Sequence, residues 1–578
     1  MKLFKKIALA MIVLSMAACA DLDELLINPN GVDPSQADAV SLYNSVQLGF
    51  RNVAYSGAVY NFTTGLSRME AETGGFTYVA SHAPTEFSGL WSAAYAGLFP
   101  DIDAYIAIAE PLGLDAEVAS CKIMKAYSLM MMVDLFDDIP LSQAGMGGAD
   151  TPNTTPTADT GEEVYAAANT LLDEAIAALA SGEGFASAAF DNFYGGDAGD
   201  WSSVASTLKL RTAVTTKLAG GTGAQVNALV DGGDLIVANG QNFEWTYGTN
   251  RANPNNRHPF YNNSYENNDG AYMSNWYMWL LAESKGFVDP RTRYYFFRQE
   301  TDLESIYTDP DGANAFDCIL TAVPDPEFIP PHYEAISPDM PYCLGSYSQG
   351  YFGRDHLNGS GIPPDGAIRT VYGLYPAGGK FDNDIDNGDI QNAGTDGALG
   401  EGIAPIWQAS WTHFQLAEAV LTMGANGDAR QLLEDAIVLS QDRVRSFEDK
   451  VDGNRILATV PTIVTVADTY VADSLWTEYV EFVMDEYDAA GSDDDRMAIV
   501  AREYLIALWG NGIEGYNLYR RTCLPANLQP SIDPAAGNPF IRSALYPATH
   551  VNLNQNITQK ENITTPVFWD TNDASCNY

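Results

Sequence analysis

The sequence predicts a mostly α-helical protein, with tetratricopeptide-like helix pairs on either side of a long, irregular, loop-rich region. Three observations carry that expectation. Apolar residues recur every three or four positions in many segments, strand-like alternation is sparse, and turn residues crowd into one stretch from about 240 to 402.

Residues 1–18 stand apart from the rest. Lys2, Lys5 and Lys6 form a basic start, and an apolar stretch from Ile7 to Ala18 follows. At about twelve residues it suits a signal-peptide core and is too short to span a bilayer. It ends Met16-Ala17-Ala18-Cys19, and small residues before a cysteine are what a lipoprotein signal peptidase accepts. Cys19 is therefore expected to be the lipidated mature N-terminus; the other reading is ordinary secretory cleavage near Ala18. Several acyl chains, at about 0.8 kcal/mol per buried methylene, would anchor the chain stably.

The helical segments follow in order. The first spans about 34 to 53. Trp91, Tyr95, Leu98, Ile102 and Tyr105 keep helical spacing over 88–110, although Pro100 should kink or break that helix. Its partner, 115–136, carries Cys121, Met124, Tyr127, Met131 and Leu135. A second pair comprises 161–180, behind a capping box of Thr160 and Glu163, and 202–219. A third comprises 404–424, with Trp407, Trp411 and Phe414, and 426–447; segments 473–489 and 493–510 close the series. Successive helices of this length suggest helix–turn–helix units, without a clean 34-residue period. The helix pairs thus fall at about 88–220 and 404–510.

The region from about 240 to 402 is rich in Asn, Gly, Pro and Tyr, with turn signals at Asn253-Pro254 and Asn387-Gly388. A loop region of that length inside a compact protein is usually functional. Length alone would suggest about four domains. No low-complexity linker is visible, so residues 19–578 are expected to form one domain.

Composition narrows the function. The net charge is −45, from 75 acidic against 30 basic residues, which argues against nucleic acid, since phosphate binding needs clustered Lys and Arg. An exported chain can hold disulfides, and Cys318 with Cys343 and Cys523 with Cys576 are the expected pairs, leaving Cys121 as a buried thiol. The six histidines form no zinc-type pair, and no nucleophile elbow is present. Gly373 to Lys380 fails as a phosphate loop, because Phe381 stands where Ser or Thr should hold magnesium. Asp382, Asp384 and Asp386 resemble the start of a calcium loop, but the glycine comes one place late and no glutamate closes it. A solvated turn is the other reading. No cofactor is expected.

Aromatics are the informative class. Sugar rings stack their C–H faces on aromatic rings, while Asn, Asp and Arg meet the hydroxyls. Loop-borne aromatics with polar neighbours occur twice. One group, after Gly74-Gly75, is Phe76 and Tyr78 with His82 nearby. The other runs from Tyr261 through Asn268 to Tyr272, Asn275, Trp276, Tyr277 and Trp279. Trp276 admits two readings: a platform that stacks on a sugar ring while Asn275 and Asn268 meet hydroxyls, or a core residue sharing an apolar helix face with Trp279 and Leu280.

The sequence resembles the SusD/RagB family of nutrient-binding outer-membrane lipoproteins almost end to end. After Cys19 come Asp21, Asp23, Glu24 and Asn28-Pro29-Asn30. Trp201 precedes Leu208-Lys209-Leu210-Arg211. Arg257 to Tyr261, Asp289-Pro290-Arg291, Gly353 to His356 and Tyr372 to Asp382 match its middle. Glu514 to Arg521, Ile541-Arg542, Tyr546-Pro547 and Pro566 to Asp570 match its end. A glycine missing from Asp355-His356-Leu357, and Pro100, are local departures. The resemblance implies a SusD-like lid, not an enzyme, over a SusC-type TonB-dependent transporter, lipid-anchored in the outer membrane at the cell surface. Such a lid binds oligosaccharides and releases them into the barrel. An oligopeptide-binding lid of a RagA-type transporter is the alternative within the class, and a surface glycoside hydrolase the alternative outside it. The family motifs imply buried aromatics and charge pairs, such as Arg520 or Arg521 with Glu514. They transfer no ligand site.

Overall fold

The computed structural model describes residues 38–145, 153–181, 184–186, 188–267, 271–299, 318–321, 325, 327–346, 349–360, 369–384, 394–450, 471–535 and 539–572. Cys19, Asn268, Asp386 and Cys576 lie outside them.

The described chain is mostly helical. Helix α1 (Ala39–Ala54) starts at Asp38, whose carboxylate accepts from the Ser41 amide, and α2 (Gly57–Leu66) follows one turn later. Helix α3 (Ser88–Ala93) continues through a π-turn at Ala94–Leu98 into α4 (Phe99–Ala109). The expected break at Pro100 does not occur. Pro100 sits in the first turn of α4, where a missing N–H costs little, and the widened π-turn before it makes room for the ring.

Helices α5 (Asp115–Phe136) and α6 (Gly161–Leu179) pack along one another, and α6 carries both halves of the expected capping box. Helix α7 (Ala198–Thr215) lies beside α6. Toward the C-terminus, α8 (Ala409–Met423) pairs with α9 (Ala429–Arg445), and α10 (Asp473–Ala489), α11 (Asp493–Ala507) and α12 (Gly512–Thr522) pack on in turn. The segment expected as helix from 404 instead begins as a strand. Ile403–Trp407 is extended and pairs antiparallel with Phe243–Thr246, joining Trp245 to Ala404. A β-branched residue and a proline at the start of that run favour the extended state. A second two-stranded ladder joins Phe296–Phe297 to Val371–Tyr372.

The middle region is less of a loop than expected. It contributes two short helices, Pro259–Tyr265 and Asn275–Ala282, and a set of deeply buried aromatics, including Tyr294, Tyr295, Phe296, Tyr372 and Tyr375. Their polar ends are met inside the core: the Tyr295 hydroxyl donates to the Ile506 carbonyl at 3.1 Å. The Cys318–Cys343 disulfide forms as expected, with its Cα atoms 5.7 Å apart. Cys523 is also disulfide-bonded, while Cys121 is a buried thiol whose pKa burial pushes up. Among the described residues no helix is long and apolar enough to cross a membrane.

Asp382 and Asp384, two of the three calcium candidates, are paired with arginines. Arg298 grips Asp382 through Nε and Nη2, at 2.6 and 2.9 Å, and Arg293 lies 2.9 Å from Asp384. A carboxylate held bidentate by a guanidinium already has its charge matched, which leaves a cation less to gain there.

Candidate functional site

The two aromatic loops meet. Helix α2 ends in a tight reversal where Arg68 takes a left-handed conformation, at φ 62°, fixed by its guanidinium on the Leu66 and Gln529 carbonyls. Beyond it, Glu70 bridges to Met273, and the Ala71 amide donates to the Tyr272 carbonyl at 2.9 Å. The chain then folds back through Gly74-Gly75. A Cβ on Gly75 would lie 2.8 Å from that of Ala80, so the reversal requires glycine. Between this loop, the end of α1 and the Pro259–Tyr265 helix opens a cavity of about 650 Å³.

Its walls mix rings with polar groups. Phe260, Tyr272 and Tyr372 supply aromatic surface, and Asn61 and Asn263 supply exposed amides. Phe260 stacks on Tyr372 with centroids 5.2 Å apart and planes 12° apart. Tyr272 is half-buried, with the Arg354 guanidinium 4.1 Å from its ring centroid.

Three carboxylates belong to the cavity. Glu70 accepts hydrogen bonds from the Tyr372 hydroxyl and, at 2.8 Å, from Thr64; burial outweighs both and raises its pKa to about 7. His82 lies 3.0 Å from Glu86 and 3.4 Å from Glu72. Burial opposes its imidazolium, but the hydrogen bonds and charges of those two carboxylates prevail and raise its pKa to about 9.

The structure divides the residues that sequence reasoning put forward. His82 and Tyr272 line the cavity. Phe76 is partly buried nearby and packs against the core. Four others point inward. Tyr78 is 1% exposed and held between Arg68 and His356, at 3.1 and 2.9 Å. Asn275 accepts from the Gly353 amide at 3.0 Å, and the Tyr277 hydroxyl donates to the Leu505 carbonyl at 3.0 Å. Trp276 is fully buried, so it presents no face to a ligand. The reason is that every residue from Asn275 to Ala282 is buried, as in a helix that is apolar nearly all round. Trp279 is the partial exception, lining a second cavity of about 320 Å³ with Phe328 and Tyr342. Sequence reasoning missed Arg51, Tyr55, Glu70, Glu72 and Phe260. The acidic pair Glu70 and Glu72, just before Gly74-Gly75, was the available signal.

The sequence profile of the SusD-like family, described as starch-binding and associating with the outer membrane, matches residues 31–316. The chain belongs to the SusD-like family. Solved structures share its fold along nearly the whole length. A SusD/RagB family protein from Bacteroides thetaiotaomicron superposes with a TM-score of 0.63 at 17% identity, covering 93% of this chain and 100% of its own. A SusD homologue from Bacteroides fragilis does so at 0.63 and 15%, with the same coverage. A chitin-binding SusD homologue from Flavobacterium johnsoniae does so at 0.59 and 20%, again covering 93% and 100%. At such identities the likeness establishes the fold, not the ligand. No curated protein matches the sequence.

In this SusD-like chain the family motifs converge on one buried network. Arg211, from the Trp201 motif, reaches Asp134 at 2.5 Å and Glu514 at 2.7 Å. Asp134 also accepts from Asn517 at 2.9 Å and from the Trp569 indole at 3.0 Å. The expected pairing of Glu514 with Arg520 or Arg521 is not made. Six or seven residues along a helix is a rise of about 9–10.5 Å, well past the three- or four-residue spacing at which side chains on one helix meet. Arg521 instead holds Glu418 through two bonds of 2.8 and 2.9 Å, and Arg520 lies over the Tyr516 ring at 3.7 Å.

Proposed function

We propose that this protein binds oligosaccharides at the cell surface and hands them to a SusC-type TonB-dependent outer-membrane transporter. The observation that carries the reading is the 650 Å³ cavity and its lining. Aromatic surface from Phe260 and Tyr272 suits the C–H faces of sugar rings, and Asn61, Asn263 and Glu86 suit their hydroxyls. The family's starch-binding description and the chitin-binding homologue support the same ligand class. In this reading Cys19 carries the lipid anchor, residues 19–578 act as one domain, and the helix pairs grip the barrel. Tandem helical pairs make extended surfaces suited to a lasting protein contact.

The test is a glycan array alongside a peptide library, both probed with the mature chain, followed by calorimetry on the best ligand. Glycan binding that Tyr272→Ala weakens supports the reading. Selective binding of peptides would replace it with the oligopeptide alternative. Pull-down from solubilised envelopes should recover one dominant β-barrel protein; recovery of the lipoprotein alone in several mild detergents would remove the transporter from the proposal.

A further inference from the structure

The charged groups around the cavity are unequally matched. Glu70 is met by Tyr372 and Thr64, while Glu72 and Glu86 share His82. Arg51 also lines the cavity, from the last turn of α1. Among the described residues it has no carboxylate partner, and its Nε is buried without a hydrogen bond. Its guanidinium lies over two rings instead, 5.8 Å from the centroid of Trp245 and 5.7 Å from that of Tyr247.

Two tyrosine hydroxyls share that condition. The Tyr55 hydroxyl is buried and without a partner; that of Tyr247 is buried with only the Arg51 guanidinium near it, in no hydrogen bond of good geometry, and Tyr247 as a whole is 5% exposed. Both rings pack against His258, with centroids 5.8 and 4.8 Å away. His258 cannot serve them. Its Nε2 lies 3.1 Å from the Ile403 carbonyl, and its Nδ1 accepts from the Phe260 amide at 3.2 Å. Buried donors without partners are costly, and native proteins keep few of them. Arg51 and Tyr55 at the cavity wall, with Tyr247 behind Arg51, form a cluster of poorly met donors that a ligand would complete.

We propose that Arg51, Tyr55 and Tyr247 form an oxyanion subsite that selects oligosaccharides carrying a negative group, a uronate carboxylate or a sulfate ester. The inference rests on the oligosaccharide reading above. All three side chains present N–H or O–H donors, and a guanidinium fork matches the paired oxygens of either group. Contact with Trp245 and Tyr247 steadies the plane of the fork. A neutral hydroxyl can occupy one donor but leaves the cation unmatched. The net charge of −45 makes non-specific attraction of anions implausible as a rival cause. Charges more than about 10 Å away are largely screened in ordinary salt, so an anion bound here reports the local donors.

The experiment is calorimetry of the full mature chain against oligogalacturonides, sulfated carrageenan oligosaccharides and neutral maltooligosaccharides, at low and high salt. One anionic series is expected to bind at least about tenfold more tightly than the neutral one. Which series does so identifies carboxylate or sulfate as the source. Arg51→Gln should bring the anionic glycan down to the neutral level. Tyr55→Phe and Tyr247→Phe each delete a single hydroxyl. They should weaken anionic binding severalfold at an unchanged melting temperature, and they carry the test if Arg51→Gln does not fold. Equal affinity for anionic and neutral glycans, or a preference that survives in all three variants, overturns the subsite and leaves the oligosaccharide reading intact. Binding of peptides and of no glycan overturns both.

Discussion

Replacing Arg211 with Met keeps the aliphatic stem of the side chain and removes the guanidinium and its charge from a site that is 1% exposed. Two carboxylates then lose their cation, Asp134 and Glu514, both fully buried. Asp134 keeps neutral donors from Tyr165, Asn517 and Trp569. Glu514 is worse placed, since its Oε2 already lacks a hydrogen-bond partner. Breaking a buried pair by removing one partner typically costs about 3–5 kcal/mol, most of it the uncompensated charge left behind. The loss should therefore fall mainly on Glu514. Arg211→Met combined with Glu514→Gln should be less destabilised than the sum of the single changes, by about 1 kcal/mol or more. Urea unfolding followed by tryptophan fluorescence measures all three variants, read from midpoints at constant slope. A single variant with the wild-type midpoint, or losses that simply add, would refute the reading that Arg211 and Glu514 stabilise the fold as a coupled buried pair.

Four further outcomes are expected. Tyr272→Ala should lower oligosaccharide affinity by about ten- to a hundredfold with little change in melting, whereas Trp276→Ala should cost about 3–5 kcal/mol of stability; calorimetry and urea melts on both separate the roles, and the reverse pattern would return Trp276 to the site. The folded-state pKa of Glu70, about 7, lies above its ordinary 4.5, so the stability it contributes is complete below pH 4.5 and is lost as the pH rises through 7. Unfolding free energies from urea melts across that window should fall by on the order of 3 kcal/mol more for wild type than for Glu70→Gln, and parallel profiles would contradict the assignment. His82, raised to about 9, loses its contribution later, between about 6.5 and 9, which His82→Asn should flatten. Detergent partitioning of wild type and Cys19→Ala tests the lipid anchor, and equal aqueous partitioning of both would exclude it.

Much of the scaffold was legible because its causes are local. Thr160 and Glu163 bond each other's backbone three residues apart, so the start of α6 is written in four positions. The period of Met124, Tyr127 and Met131 reports a helix wherever it packs. The limits appeared where a distant segment decided. Ile403–Trp407 became a strand because Phe243–Thr246 lies beside it. Glu514 found Arg211 because three helices meet there, not because a nearby arginine was absent.

The ligand site shows the same division at closer range. The sequence by itself determined which loops carry aromatics beside polar residues, and it placed His82 and Tyr272 among the candidates. Only the tertiary structure decided which way each side chain turns. Trp276 and Tyr272 stand four residues apart with similar neighbours in the chain. One is fully buried, while the other is left half-buried at the cavity wall. Arg51 drew no notice in the sequence, since a cation in the last turn of a helix is favoured there by the helix dipole alone. Its significance lies in having no carboxylate partner among the described residues, and ion pairing, like burial, is settled by folding: it depends on which charges long-range packing brings within a few ångströms.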